Sequence, residues 1–261
     1  METIANAVNH ESYQLSDAHK LKRHTNFITM FSYMKNNNFL PMVKTVIFNI
    51  EKRVVDGISQ GIALKMVFIP KKGPAYSCGA LIDEVDFNNN GKFYKEFFTL
   101  LPNVKEIYIN FMEDKVKESP EINDALQFLN LLKAFNNLEV LFLNLPHNSF
   151  VLSIFKSFAT CMLHVRTMIL LFANCSLTDS DFSLLNQVTG LVDLETLCID
   201  ISNNKLTEHC TQTLYSLIKP PKLKNFYMKI FNNDIESYII EDLEKKLEVG
   251  KFKFGIQKNI V

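Results

Sequence analysis

Leu194-Glu-Thr-Leu-Cys-Ile-Asp-Ile-Ser-Asn-Asn-Lys-Leu206 and Leu223-Lys-Asn-Phe-Tyr-Met-Lys-Ile-Phe-Asn-Asn-Asp-Ile235 are two versions of one pattern. Numbered from their first residue, both are apolar at positions 1, 4, 6, 8 and 13 and carry an Asn-Asn pair at 10 and 11. Self-similarity at a fixed spacing of 20 to 50 residues is the signature of a stacked repeat, so the rest of the chain is searched for the same phase. Val165, Met168, Leu170 and Phe172 match at positions 1, 4, 6 and 8, followed by Asn174 and Leu177. Leu138, Leu141, Leu143 and Leu145 match, with Asn148 and Phe150 behind them, as do Val104, Ile107, Ile109 and Phe111. Val43, Val46, Phe48 and Ile50 match again, and Leu64, Val67 and Ile69 match without the fourth apolar residue. First positions at 43, 64, 104, 138, 165, 194 and 223 are spaced by 21, 40, 34, 27, 29 and 29 residues, so the second half of the chain is the regular one.

Within each copy, apolar residues at positions 4, 6 and 8 alternate with changeable ones, which is a strand buried on one face. Some residues later the period changes. Thr178-Asp-Ser-Asp181 precedes Phe182, Leu185 and Val188, and Thr207-Glu-His-Cys210 precedes Leu214, Leu217 and Ile218. A threonine with an acid three residues on caps the exposed N–H groups of a helix start, and apolar spacings of three and four are helical. Ile239, Ile240, Leu243 and Leu247 carry the same stripe in the last copy, with Glu241 to Lys245 and Asp242 to Lys246 as i,i+4 pairs on the wet side. One strand and one helix in about 29 residues cannot close a core alone, so copies must stack, strands on one side and helices on the other.

This pattern resembles the leucine-rich repeats, most closely the ribonuclease-inhibitor-like subclass, and is similar to divergent protist arrays of that family. The resemblance covers residues 43 to 256 and is most specific from 104 onward. It implies an α/β horseshoe solenoid with parallel strands on the concave face and helices on the convex face. The common motif has Asn or Cys at position 9 and an apolar residue at 11, whereas here Asn stands at 10 and 11 and the apolar residue at 13. A doubly wound sheet of βα units also alternates strands and helices, but it gives no reason for one shared phase in so many copies. The expected organisation is a single domain: residues 1 to 42 as a helical cap, 43 to 250 as about seven repeats, and 251 to 261 as an edge strand and tail.

The cap is read from Phe27, Ile28, Phe31 and Met34, at helical spacing between Leu21 and Lys35, with Asn36 to Asn38 ending the pattern before Pro41. Lys251-Phe-Lys-Phe254 alternates charge outward and Phe inward, and a lysine-bearing edge strand resists pairing with another chain. Between Ile69 and Val104, Pro70-Lys-Lys-Gly-Pro74 reads as a loop, Ala80 to Val85 as one irregular strand, and Phe93 to Leu101 as a helix.

Composition narrows the function. Of 261 residues, 47% are hydrophobic and 21% charged, and 28 Lys and Arg balance 28 Asp and Glu, so the basic footprint of a nucleic-acid binder is missing. Met1 to Lys20 has no apolar segment and carries Glu2, Glu11 and Asp17, and the longest apolar run, Met168 to Ala173, is far shorter than a bilayer, so an intracellular, cytoplasmic protein without membrane insertion is expected. Cys78, Cys161, Cys175, Cys198 and Cys210 form no C-x-x-C pair, His10, His19, His24, His147, His164 and His209 are scattered, and eight glycines leave little material for a phosphate loop. No metal, cofactor, small-molecule substrate or catalytic residue is expected. Some ribonuclease-inhibitor-like repeats activate GTPases through an arginine in the loop after a strand, and Arg53 is the one residue here at such a place.

What remains is the exposed side of the sheet. If positions 4, 6 and 8 point into the core, positions 5 and 7 face the other way. Position 5 runs Ile47, Phe68, Tyr108, Phe142, Ile169, Cys198, Tyr227, an apolar and aromatic column about 30 Å long at about 4.8 Å per strand. Position 7 runs Asn49, Pro70, Asn110, Asn144, Leu171, Asp200, Lys229. An apolar stripe of that length marks a partner site, with Phe68, Tyr108, Phe142, Ile169 and Tyr227 as its contacts, unless an N-terminal segment or long loop of the chain covers it. The expected function is a protein-interaction scaffold, a structural subunit of a larger assembly; the alternative is a regulator of an enzyme, of inhibitor or GTPase-activator type.

Overall fold

The computed structural model describes residues 22–24, 27–55, 58–71, 76–82, 99–111, 135, 137–147, 164–250 and 252–258. Its strands are β1 (Lys22–His24), β2 (Val43–Val55), β3 (Ile58–Pro70), β4 (Tyr76–Ile82), β5 (Glu106–Phe111), β6 (Val140–Asn144), β7 (Thr167–Leu171), β8 (Thr196–Asp200), β9 (Asn225–Lys229) and β10 (Lys253–Gln257). They form one open sheet in the order β1-β4-β3-β2-β5-β6-β7-β8-β9-β10. From β2 through β5 to β10 every neighbour is parallel, and the register follows the phase read from the sequence: Leu197 pairs with Met168 and Phe226, and Ile199 with Leu170 and Met228. The fold is α/β with a mostly parallel sheet.

The helical segments are α1 (Phe27–Asn36), α2 (Asp179–Phe182), α3 (Thr211–Leu217) and α4 (Ser237–Val249), with 3₁₀ turns at Leu40–Met42, Ser183–Gly190 and Glu208–Cys210. Phe182, Leu185, Val188, Leu214, Leu217, Ile239, Leu243 and Leu247 are buried in the same cluster as Ile107, Leu141, Met168, Leu197 and Phe226, so α2 to α4 lie on the face presented by positions 4 and 6. The expected stripe is therefore present, although after β7 most of it is wound as 3₁₀ helix. Thr178 and Asp181 form the capping box anticipated at that helix start, each side chain bonding the other's backbone N–H. Thr207 caps the next segment by accepting from His209 N, and its own N–H and hydroxyl donate to Asp179, tying one helix start to the one before it.

The Asn-Asn pair has two separate jobs. The first position has positive φ in each turn: His147 at 61°, Asn174 at 59°, Asn203 at 56° and Asn232 at 54°. That conformation clashes with most L side chains and is visited by Asn and His several times more often than by others. The second Asn turns inward. Asn204 Oδ1 accepts from Cys175 N and Leu177 N, and its Nδ2 donates to Phe172 O and Ile201 O. Asn233 does the same one strand later, accepting from Leu206 N and donating to Ile201 O and Ile230 O. In the preceding turn Cys175 Sγ donates to Leu145 O. Backbone N–H and C=O groups left over where the strands end are satisfied in this way.

The N-terminal side departs from expectation. β3 runs antiparallel to β2, with Val46 opposite Phe68, so Leu64, Val67 and Ile69 belong to the return strand of a hairpin and not to a further parallel copy. β4 pairs antiparallel with β3 and overlaps the irregular strand expected at Ala80 to Val85 only over residues 80–82, residues 83–85 lying outside the described ones, and β1 pairs with β4 at the sheet edge. Three strands thus extend the sheet beyond β2, where a helix was expected to cover its end; α1 begins later than Leu21 and buries Met34 in the main core. Arg53 lies inside β2 rather than in a loop after it. β10 begins at Lys253, with Phe252 and Phe254 half-buried against the core and Lys253 exposed. Residues 1 to 20, the loop at 72–75, most of the helix expected from Phe93, and Asn148 and Phe150 lie outside the described residues.

Candidate interaction face

Residues at positions 3, 5 and 7 stand on the face away from the helices. Tyr108, Phe142, Ile169, Cys198, Tyr227 and Gly255 are consecutive Cα partners across β5 to β10 and form the position 5 column. Ile47 joins the column at β2. Phe68 does not. It pairs with Val46, lies on the core side and is wholly buried in the main cluster, because the hairpin register sets Phe68, and not Val67, opposite the core-facing Val46.

Four apolar side chains on this face form a cluster separate from the main core: Phe142 and Leu171, with Tyr108 and Ile169 packed against them. The Tyr108 and Phe142 ring centroids are 5.7 Å apart and tilted by 35°, within the range where aromatic pairs attract. Phe142 is 3% exposed and Leu171 8%, so these two form the floor of the patch while Tyr108, Ile169 and Tyr227 are half-buried at its surface. Leu171 belongs to the patch although its column is otherwise polar, which hides it in the sequence. Cys198 is 1% exposed, and burial pushes its thiol up to about 11, so it is a filler between Ile169 and Tyr227 and no nucleophile at neutral pH. Burial likewise pushes the Cys210 thiol up to about 12.

Toward β10 the face turns polar. Lys229 Nζ lies 4.0 Å from Asp200 Oδ2, Asp200 Oδ1 accepts from Ser202 N, and Asn225 Nδ2 donates to Thr196 Oγ1 at 3.0 Å. Gly255 flanks Tyr227, and an added Cβ there would touch that ring at 3.5 Å, an ordinary van der Waals contact.

A row of charges runs along the entrance to the strands. Lys105 pairs with Glu139, Glu195 with Lys224 at 2.7 Å and Arg166 at 3.8 Å, and Asp193 with Lys222 at 2.7 Å and His164 at 3.3 Å. Glu106 accepts from Lys44 at 2.5 Å and from the buried Thr45 hydroxyl at 2.7 Å. The bonded lysines Lys105, Lys222 and Lys224 hold the carboxyls of Glu139, Asp193 and Glu195 below their usual range. Alternating sign at neighbouring strands lets each charge find its partner within the row and favours one register. Among the described residues no three His, Cys, Asp or Glu side chains stand together as metal ligands, and no helix is long and apolar enough to cross a membrane. No family model matches this sequence, and no curated protein matches it.

Proposed function

We propose that the chain is a leucine-rich repeat solenoid of the ribonuclease-inhibitor-like kind, acting inside the cell as a non-catalytic scaffold that holds a protein partner on the face away from its helices. The spacing supports the fold half of this reading once the frame is moved by two residues. Counted to the inward side chain, Leu170-x-Phe172-x-x-Cys175-x-Leu177, Ile199-x-Ile201-x-x-Asn204-x-Leu206 and Met228-x-Ile230-x-x-Asn233-x-Ile235 all have the L-x-L-x-x-N/C-x-L form of that family. The Cys175, Asn204 and Asn233 bonds to the turn before each are the role such a position serves.

The observation that carries the function is the second apolar cluster, Tyr108, Phe142, Ile169 and Leu171, on a sheet face that the core does not use. Tyr108 and Ile169 are half-buried at the surface of this cluster, and aromatic side chains dominate the energetics of protein interfaces. With no net charge on the chain, apolar burial is the available driving force. Such a scaffold sits in its assembly as a subunit. The test is native purification of the tagged chain with its neighbours quantified: a scaffold returns the same proteins in a fixed ratio, and a substoichiometric companion whose reaction rate changes on binding would overturn the reading in favour of an enzyme regulator.

A further inference from the structure

The two ends of the sheet are finished differently. At one end the parallel run stops at β2 and is followed by antiparallel β3 and β4 and then β1. At the other it stops at β10, whose side chains Phe254 and Ile256 pair with Phe226 and Met228 on β9. Phe226 and Met228 are wholly buried because a strand lies on each side; Phe254 and Ile256 occupy the same positions of the last layer and are only half-buried. Backbone polarity repeats the asymmetry. Lys253 N donates to Lys224 O, and Gln257 O accepts from Ile230 N, so the odd residues of β10 bond inward to β9. The N–H and C=O groups of Phe254 and Ile256 therefore point outward, along an edge that continues no further among the described residues.

We infer that this edge pairs with its own copy, β10 against β10 in antiparallel fashion about a two-fold axis at Gly255. The occupant is argued from complementarity. In that register Phe254 and Ile256 of one copy exchange both backbone bonds with Ile256 and Phe254 of the other, giving four hydrogen bonds from the groups that face outward. On the core side each Phe254 then lies across from an Ile256, an aromatic and β-branched pair of the kind that stabilises sheets. On the other side Gly255 meets Gly255, and each Lys253 stands opposite an uncharged Gln257, so no like charges face each other and the lysine expected to block pairing at this edge does not oppose this register. Lys258, the next cation, is held at 2.9 Å by Glu244 of its own chain. The contact is isologous and closes on itself, so it ends at a dimer. The apolar patch on the other face takes no part, so this inference stands apart from the proposed partner site.

Sedimentation across a concentration series measures the dimer, and two variants locate it. Ile256→Pro removes an outward donor at an edge position that tolerates proline and is expected to give a monomer with an unchanged circular dichroism spectrum. Gly255→Cys puts two Cβ atoms across a non-hydrogen-bonded antiparallel pair, where Cα atoms lie about 4.5 Å apart and a disulfide fits. Mild oxidation is expected to crosslink Gly255→Cys well above the unmutated chain and leave Gln257→Cys, which would face Lys253, at background. A chain that stays monomeric at every concentration overturns the inference. So does a dimer that persists in Ile256→Pro, or equal crosslinking of the two cysteine variants. If Ile256→Pro fails to fold, the cysteine pair alone decides.

Discussion

Asn204 and Asn233, 29 residues apart, make the same bonds one strand apart: each Nδ2 spans from the core-facing residue just past the end of its own strand to the equivalent residue past the end of the strand before. Asn204→Ala strands the N–H groups of Cys175 and Leu177 and the carbonyl of Phe172 at once. An unmet buried group costs about 1–3 kcal/mol, so a loss of about 2–4 kcal/mol is expected in urea unfolding. Lys205, the next residue along, is exposed, so Lys205→Ala serves as the silent control.

The adjoining position responds to a different physical term. Asn232 has φ of 54°, where a β-branched side chain is strained and glycine is not. Asn232→Ile should lower stability by about 1–2 kcal/mol, whereas Asn232→Gly stays within about 0.5 kcal/mol, because the Asn232 side chain donates to the Asn203 side chain at an exposed site. Equal losses for both substitutions would show that the side-chain bond, and not the backbone, sets the preference.

Core phase is tested on β8. Leu197 is wholly buried in the main cluster and Leu143 likewise, so truncating either to Ala should cost about 2–5 kcal/mol. Thr196 stands beside Leu197 on the opposite face and accepts one bond from Asn225, so Thr196→Ala should cost about 1 kcal/mol or less. Similar urea midpoints for the Leu197 and Thr196 variants would reverse the faces assigned to the strand.

The strands from β5 onward are legible because one phase recurs in every copy, and a strand bonded on both sides in register cannot shift by one residue without turning its core residues to water. Alternation carries no direction, however. Val67 and Ile69 alternate equally well in a strand that runs backwards, and its register sets Val67 against Ile47 and Phe68 against Val46, one residue from the pairing that the parallel spacing suggests, so Phe68 falls on the core face. The inward asparagines are visible as residues but not as a ladder, since counting from the first apolar position rather than from Ile199 displaces them by two. Cys175 illustrates the same point: in sequence it is one more scattered cysteine, and only its bond to Leu145 O places it in the series with Asn204 and Asn233. Leu171 is hidden by its neighbours, being the single apolar residue among Asn110, Asn144, Asp200 and Lys229.

Acid should loosen the strand entrances. The carboxyls of Glu139, Asp193 and Glu195 are depressed, chiefly by their bonded lysines, so their contribution is present above the ordinary carboxylate range and is lost as pH falls through and below it. These pairs are exposed, and salt screens them. The melting temperature is expected to drop below about pH 4.5, less steeply in Lys222→Ala and Lys224→Ala, and less steeply in high salt. At the other extreme, the bond to Asp242 pushes the Tyr215 phenol up from 10.0 to about 12, so its neutral form stabilises the chain up to the ordinary tyrosine range and that contribution fades as pH rises toward 12. Tyr215→Phe should flatten this alkaline limb and soften the acid one slightly, because the Asp242 carboxyl is held down first by Lys246 and then by the Tyr215 hydroxyl.

The proposed partner site is best tested where folding and binding separate. Tyr108, Ile169 and Tyr227 are half-buried on the face opposite the helices, whereas Phe142 is 3% exposed beneath them. Changing Tyr108, Ile169 and Tyr227 together to Ser removes apolar contact area from the surface while leaving the floor of Phe142 and Leu171 in place. The melting temperature is expected to fall by only a few degrees, and the affinity of the native complex at least tenfold, which is about 1.4 kcal/mol and modest for aromatic contacts at an interface. Phe142→Ser should behave in the opposite way, costing about 3 kcal/mol or more of stability, because it empties a closed site. A triple variant that unfolds would mean that these three side chains are part of the packed structure and that the chain covers its own face. A triple variant that folds and binds undiminished would move the partner to the helices, whose exposed outer residues include Tyr238, 60% exposed, and Val249, 85% exposed.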